Sequence, residues 1–114
     1  IKESNILIMG LTFKENCPDY RNTRVIDLVK EFESLGCNVD IYDPWVDKKR
    51  VADEYKIDPI SEPTKGKYDA IIIAVAHNEF KLLSEDLFRS YGKSNHILYD
   101  VKYLLKSNES DGRL

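Results

Sequence analysis

Several things that specialised protein classes depend on are scarce in this sequence. There are two cysteines, Cys17 and Cys37, enough for one bridge at most and without metal-ligand spacing around them. Free thiols in a reducing compartment are the expectation. A basic excess is missing too. The net charge is −3, whereas a general nucleic-acid binder usually presents a basic face. The longest apolar stretch, Ala70 to Ala76, falls far short of the ~20 residues that span a bilayer. No basic, apolar and small-residue signal opens the chain, so a cytoplasmic location is expected, with neither membrane nor nucleic acid as partner. Internal repeats and low-complexity segments are absent. The sequence begins at Ile1, without a methionine and almost inside a strand, and reads as a piece of a longer polypeptide.

What remains is ordinary globular material. The chain has 114 residues, 42% of them hydrophobic, 32% charged and 11% aromatic, enough for one core and too apolar for a disordered chain. One domain over residues 1–114 is expected, with 106–114 as a loose polar tail. Ile6-Leu7-Ile8-Met9 is a short apolar run stopped by Gly10, as in a buried strand. From Thr23 the period becomes helical, with Val25, Leu28, Val29 and Phe32 on one face and Leu35 near its edge. Asn22 or Thr23 is the expected N-cap and Gly36 the expected C′ residue. Val39 to Tyr42 alternates as a strand and ends at the turn signal Asp43-Pro44.

Val46 to Tyr55 reads as a short polar helix and Ile57 to Ile60 as a brief edge strand. Ala70 to Val75, apolar on both faces, has the pattern of a central parallel strand. Phe80, Leu83 and Leu87 recur at helical spacing until Gly92. Ile97 to Tyr99 is a last strand, and Tyr103 to Leu105 a short helix. Strand and helix alternating in this way predict a Rossmann-like, three-layer α/β domain, with a mostly parallel sheet of about five strands and helices on both faces.

In such sheets ligands bind beyond the carboxyl ends of the strands. That rule selects Gly10 to Asn22, Asp43 to Trp45, His77 to Glu79 and Asp100 to Lys102. The first segment is long for a βα turn and carries Lys14, Arg21 and, at the helix start, Arg24. Cations beside free backbone N–H groups and a positive helix end suit a phosphate, although they equally suit a solvated loop paired with Glu15 and Asp19. The G-x-G-x-x-G fingerprint is lacking, since Gly10 stands alone in Gly10-Leu11-Thr12-Phe13-Lys14, so the domain is not expected to hold NAD by itself. A phosphatase-type Cys17 would need its arginine where Thr23 stands, and Pro18 removes an N–H donor from the loop.

His77, past the central strand, has two readings: a proton-transfer or ligand-orienting group in the crevice, or a cap for the next helix. A lone histidine makes no metal site, and none is expected. Asp43 sits where dinucleotide folds keep a ribose-binding acid, yet Pro44 beside it favours a structural turn. Trp45 reads as a packing or interface residue. A receiver domain is excluded, because Met9-Gly10-Leu11 and Ala76-His77 lack the acids it needs.

The run from Gly10 through Lys14, Asp19 and Arg21 to Thr23 resembles the G-[LF]-[AT]-F-K-x-x-[ST]-x-D-x-R-x-[ST] segment of the UDP-glucose/GDP-mannose dehydrogenase family, which opens that family's C-terminal UDP-binding domain. Gly36, Tyr42-Asp43-Pro44, Asp69-Ala70, His77 and Asp100-Val101-Lys102 continue the likeness in order, and Cys17 departs from it. Ala74-Val75-Ala76-His77-Asn78-Glu79-Phe80 is similar to the branch that oxidises UDP-N-acetylhexosamines, Vi-polysaccharide-type enzymes included.

The resemblance implies an NAD-dependent, two-step oxidation of a sugar C6 alcohol to a uronic acid through a cysteine thioester, in surface-polysaccharide biosynthesis. It implies that the catalytic cysteine and the NAD fingerprint lie upstream, so this stretch holds no catalytic residue and is inactive alone. It also implies a substrate role for Phe13, Lys14 and Lys102, contact of Arg21 with the NAD pyrophosphate, and partnership with the rest of the polypeptide in a homo-oligomer. The alternative is a non-catalytic nucleotide-binding or assembly module that shares the fold.

Overall fold

The computed structural model describes residues 3–12, 25–101, 105 and 109–113. Its elements run β1 (Asn5–Met9), α1 (Val25–Ser34), β2 (Asn38–Tyr42), α2 (Lys48–Tyr55), β3 (Tyr68–Ile73), α3 (Asn78–Lys81), α4 (Glu85–Ser90), β4 (Gly92–Asp100) and β5 (Gly112–Arg113). The sheet has the order β2-β1-β3-β4-β5, and every pair in it is parallel. Four strands are of full length. The two-residue β5 only extends the β4 edge.

Alternation along the central strands builds two cores. Ile6 and Ile8 of β1 join Ile72 in a cluster with Ile26, Val29, Ile41 and Val51. Leu7 and Met9 point the other way, into a cluster with Ile71, Ile73, Phe80, Phe88 and Leu98. A strand apolar on both faces needs cover on both, which explains the unbroken Ile-rich runs.

Helix α1 ends as its sequence predicts. Cys37 N–H donates to the Phe32 carbonyl at 3.1 Å and Gly36 N–H to that of Glu33 at 3.0 Å, while Gly36 takes φ 84°. This is a Schellman closure, and the positive φ is the reason for glycine. The expected caps Asn22 and Thr23 lie outside the described residues, as does most of the Tyr103 to Leu105 helix. Leu35 stays 48% exposed. The polar helix begins at Lys48, because Asp47 accepts from the Lys49 and Arg50 N–H groups as its N-cap.

Three expectations are corrected. Ile57 to Ile60 forms no strand: Pro59 has no N–H to give, and only the Ile60 N–H reaches the neighbouring Ile41 carbonyl, at 2.8 Å. The helix expected from Phe80 to Tyr91 is two helices, because the Ser84 hydroxyl caps a new start by accepting from Leu87 N–H, with Glu85 and Asp86 in the first turn. Leu82, in the break, is 86% exposed. Finally, the described part of the tail is tied down. Arg89 grips both Asp111 carboxylate oxygens, at 3.0 and 3.2 Å, and the Glu109 carbonyl at 2.8 Å. Asp111 in turn accepts from Leu98 N–H at 2.8 Å, and Gly112–Arg113 pairs with β4.

Candidate functional site

The chain leaves β1 for β2 on one side and later crosses back to place β3 on the other, so the β1/β3 boundary is the point where the winding reverses. The described parts of all four segments chosen from the sequence lie at this end of the sheet. Gly10 N–H donates to the Tyr42 carbonyl at 2.9 Å and Val101 N–H to that of Ile73 at 3.1 Å, which bind the strand exits together.

At the centre lies a buried carboxylate. Asp43 Oδ2 accepts from Leu11 N–H at 2.6 Å and from Thr12 N–H at 3.2 Å, and lies 2.9 Å from His77 Nε2. Its other oxygen accepts from Trp45 N–H at 2.7 Å, an Asx-type turn that Pro44 helps to set. The same His77 nitrogen is 3.2 Å from Thr12 Oγ1. The Asp43 and His77 side chains are both 0% exposed. A carboxylate only accepts, so the geometry assigns a proton to His77 Nε2.

His77 occupies the N-cap position of α3 but makes no capping hydrogen bond with its side chain. Its side chain is fully buried. Trp45 stacks over its ring, with centroids 6.0 Å apart, and Phe80 meets the ring edge-on at 5.4 Å. The indole N–H of Trp45 donates to Glu79 Oε1 at 2.9 Å, closing the cover.

Asp43 therefore serves the turn reading, with its carboxylate committed to Leu11, Thr12, Trp45 and His77. That commitment, together with the single Gly10 after β1, does not fit the adenosine end of a dinucleotide. Gly10 has another purpose: a β-carbon on it would press into Val75, so the glycine lets β1 and β3 close at the winding point. Asp100, fully buried at the end of β4, accepts from Leu105 N–H at 2.7 Å.

Beside the Asp43 corner is a cavity of about 210 Å³, lined by Tyr42, Pro44, Val46, Lys48, Ile60 and Ser61 among others. Burial, followed by the carboxylates of Glu79, Asp43 and Glu62, holds the Tyr42 phenol above its ordinary range. Among the described residues, no group of three or more His, Cys, Asp or Glu side chains is gathered to hold a metal ion. Phe13, Lys14, Arg21 and Lys102, like Cys17 and Arg24, lie outside the described residues. The structure brings together two residues weighed separately in the sequence, Asp43 and His77, and adds Thr12, which lay in the selected Gly10 to Asn22 segment without a role of its own. Its signal was its place in the connection after β1, at the [AT] position of the family-like segment.

Fold and crevice define a doubly wound, Rossmann-like α/β domain with its ligand end at the strand C-termini. The chain belongs to the UDP-glucose/GDP-mannose dehydrogenase family, matching its UDP binding domain over residues 7–107. It is 54% identical over 114 residues to the UDP-N-acetyl-D-glucosamine 6-dehydrogenase of Salmonella typhi, covering 100% of this chain and 27% of that protein. To the enzyme of the same name from Pseudomonas aeruginosa it is 51% identical over 111 residues, covering 97% and 26%. The chain thus spans about a quarter of the length of these relatives. Among solved structures, the NDP-N-acetyl-D-galactosaminuronic acid dehydrogenase of Methanosarcina mazei superposes with a TM-score of 0.80 at 20% identity, over 95% of this chain and 22% of that one. The UDP-D-ManNAc dehydrogenase of Pyrococcus horikoshii gives 0.75 at 24% identity, over 98% and 25%. At such identities the likeness speaks for the fold alone.

Proposed function

We propose that the chain is the UDP-sugar-binding domain of a longer NAD-dependent UDP-N-acetyl-D-glucosamine 6-dehydrogenase, which oxidises the sugar C6 alcohol to a uronic acid. The observation that carries this reading is identity above one half, along nearly the whole chain, to two relatives that bear that name. In the proposal, substrate binds at the C-terminal end of the sheet. Phe13 and Lys14, directly after the anchored Gly10–Thr12 root, meet the nucleotide and phosphate end, and Lys102 approaches from the exit of β4. The chemistry and the dinucleotide's own site belong to the remainder of the polypeptide, with Arg21 reaching the NAD pyrophosphate across the cleft. A homo-oligomer in the cytoplasm, serving surface-polysaccharide synthesis, completes the proposal.

The test is an amide NMR titration of the chain with UDP and, separately, with NAD+. UDP should shift Gly10 to Lys14 and the neighbourhood of Lys102, even at millimolar affinity, about −4 kcal/mol. NAD+ alone should leave the exits of β1 and β2 unmoved. Absence of any UDP response would remove the nucleotide from this domain and favour an assembly module that only shares the fold.

A further inference from the structure

The Asp43–His77 pair does more than satisfy two buried polar groups. Asp43 accepts hydrogen bonds from three stretches far apart in sequence: the exit of β1 at Leu11 and Thr12, its own turn at Trp45, and the exit of β3 at His77. Oδ2 alone carries three of the four contacts. Such an oxygen stays in place only if each partner is fixed, and His77 is fixed from two sides by Trp45 and Phe80. Thr12 is bound twice over, through its N–H to Asp43 and through its hydroxyl beside His77 Nε2. The residues that follow it are Phe13 and Lys14.

We infer that Asp43 and His77 are positioning residues for nucleotide binding. They clamp the root of the β1–α1 connection, so that the backbone at Leu11 and Thr12 is set before a diphosphate arrives. The inference rests on the proposed UDP-binding reading for its functional half, whereas the clamp itself rests on the described atoms. Ordering the root in advance removes part of the entropy that binding would otherwise have to supply. Neither residue touches the ligand in this scheme, so their loss weakens affinity without altering the chemistry.

Amide hydrogen exchange and UDP titration, measured together on the 114-residue chain, test this. His77→Leu removes the donor while keeping bulk. It should speed exchange at Leu11 and Thr12 by about tenfold or more, the scale of one lost charge-assisted hydrogen bond. Ile71 and Leu98 should keep their protection, and UDP affinity should fall by a similar factor. His77→Gln, which retains an N–H donor, should recover both readouts, a rescue that simple loss of packing would not give. In the wild-type chain, UDP should slow exchange at Leu11 and Thr12. Unchanged exchange at those amides in His77→Leu overturns the clamp.

If His77→Leu does not fold, the wild-type arm decides. UDP that shifts other amides and leaves Leu11 and Thr12 exchanging as before overturns the positioning role. Absence of any UDP response in the wild type refutes the binding reading, while the exchange data still judge the clamp.

Discussion

Gly10 and Val75 approach so closely that a β-carbon on the glycine would stand 2.5 Å from the valine Cβ and 2.8 Å from its backbone nitrogen. Gly10 also holds φ at 105°, which side-chain-bearing residues rarely adopt. The partner on one side is backbone, so the contact has little room to relax. Gly10→Ala should therefore cost about 3 kcal/mol, combining overpacking with backbone strain. For a domain of this size that lowers the melting temperature by roughly 10–20 °C, read by circular dichroism. A melt within a few degrees of wild type would show that the two strand exits separate freely.

The Tyr68 hydroxyl donates to Asp40 Oδ2 at 2.7 Å, and Lys67 reaches the same oxygen at 2.8 Å. Burial first, then the hydrogen bond to Asp40, pushes the phenol up to about 12 from its ordinary 10.0. A folded-state value above the unfolded one contributes stability that is complete below pH 10 and lost as pH rises through 12. The phenolate absorbance that Tyr68→Phe removes should be that of a tyrosine titrating near 12, later than the ordinary 10.0. A spectrum without a late component would contradict the burial of this phenol.

At the other pH extreme, the Arg89 hydrogen bonds hold the Asp111 carboxyl below the usual carboxylate range, helped by the Leu98 N–H. The lowered value means stability present above about pH 4 and lost as pH falls through the folded-state value. The Asp111 side chain is 41% exposed, so solvent screening limits the gain to about 1 kcal/mol. Asp111→Asn should flatten the acid limb of a denaturant-stability profile and speed amide exchange at Leu98. An acid limb identical to wild type would mean that Arg89 does not hold the 109–113 segment in solution.

For the full polypeptide, the proposed roles of the basic residues separate. Lys14→Ala should raise the KM for UDP-sugar by about ten- to a hundredfold, the worth of one charged contact, with NAD+ little changed. Arg21→Ala should do the reverse. Steady-state kinetics with each substrate varied in turn would expose a swapped pattern.

Much of this architecture was legible in the sequence because it is local. The runs at Ile6–Met9 and Ala70–Ile73 are apolar and Val39–Tyr42 alternates, all over short windows, and Gly36 and Asp43-Pro44 punctuate them where the chain turns. The beginning of β4 was not legible. Lys93 to His96 are polar and mostly exposed, and they belong to a strand only because Gly92 pairs with Tyr68, beyond a register shift. The break at Ser84 was hidden by the apolar stripe running through Leu82 and Leu83, although Ser84-Glu85-Asp86 carried the signal of a new helix start. The Asp43–His77–Thr12 cluster was invisible for a different reason. Its members lie 34 and 65 residues apart from His77, and no local pattern reports a meeting across the sheet. Each was therefore judged alone, and Thr12 only as part of its segment.

The sheet order also has a kinetic meaning. In β1, Ile6 pairs with Val39 on one side and with Ala70 on the other. Its second neighbour arrives only after an entire helix–strand–helix excursion, so the pairing that completes the middle of the sheet is also one with a large loop to close. Chain topology of this kind slows folding. As the polypeptide emerges from a ribosome, β1 must wait half-paired, with Leu7 and Met9 uncovered, until the Ile71–Ile73 segment follows. A chaperone that shields short aliphatic strands would find its longest-lived target there.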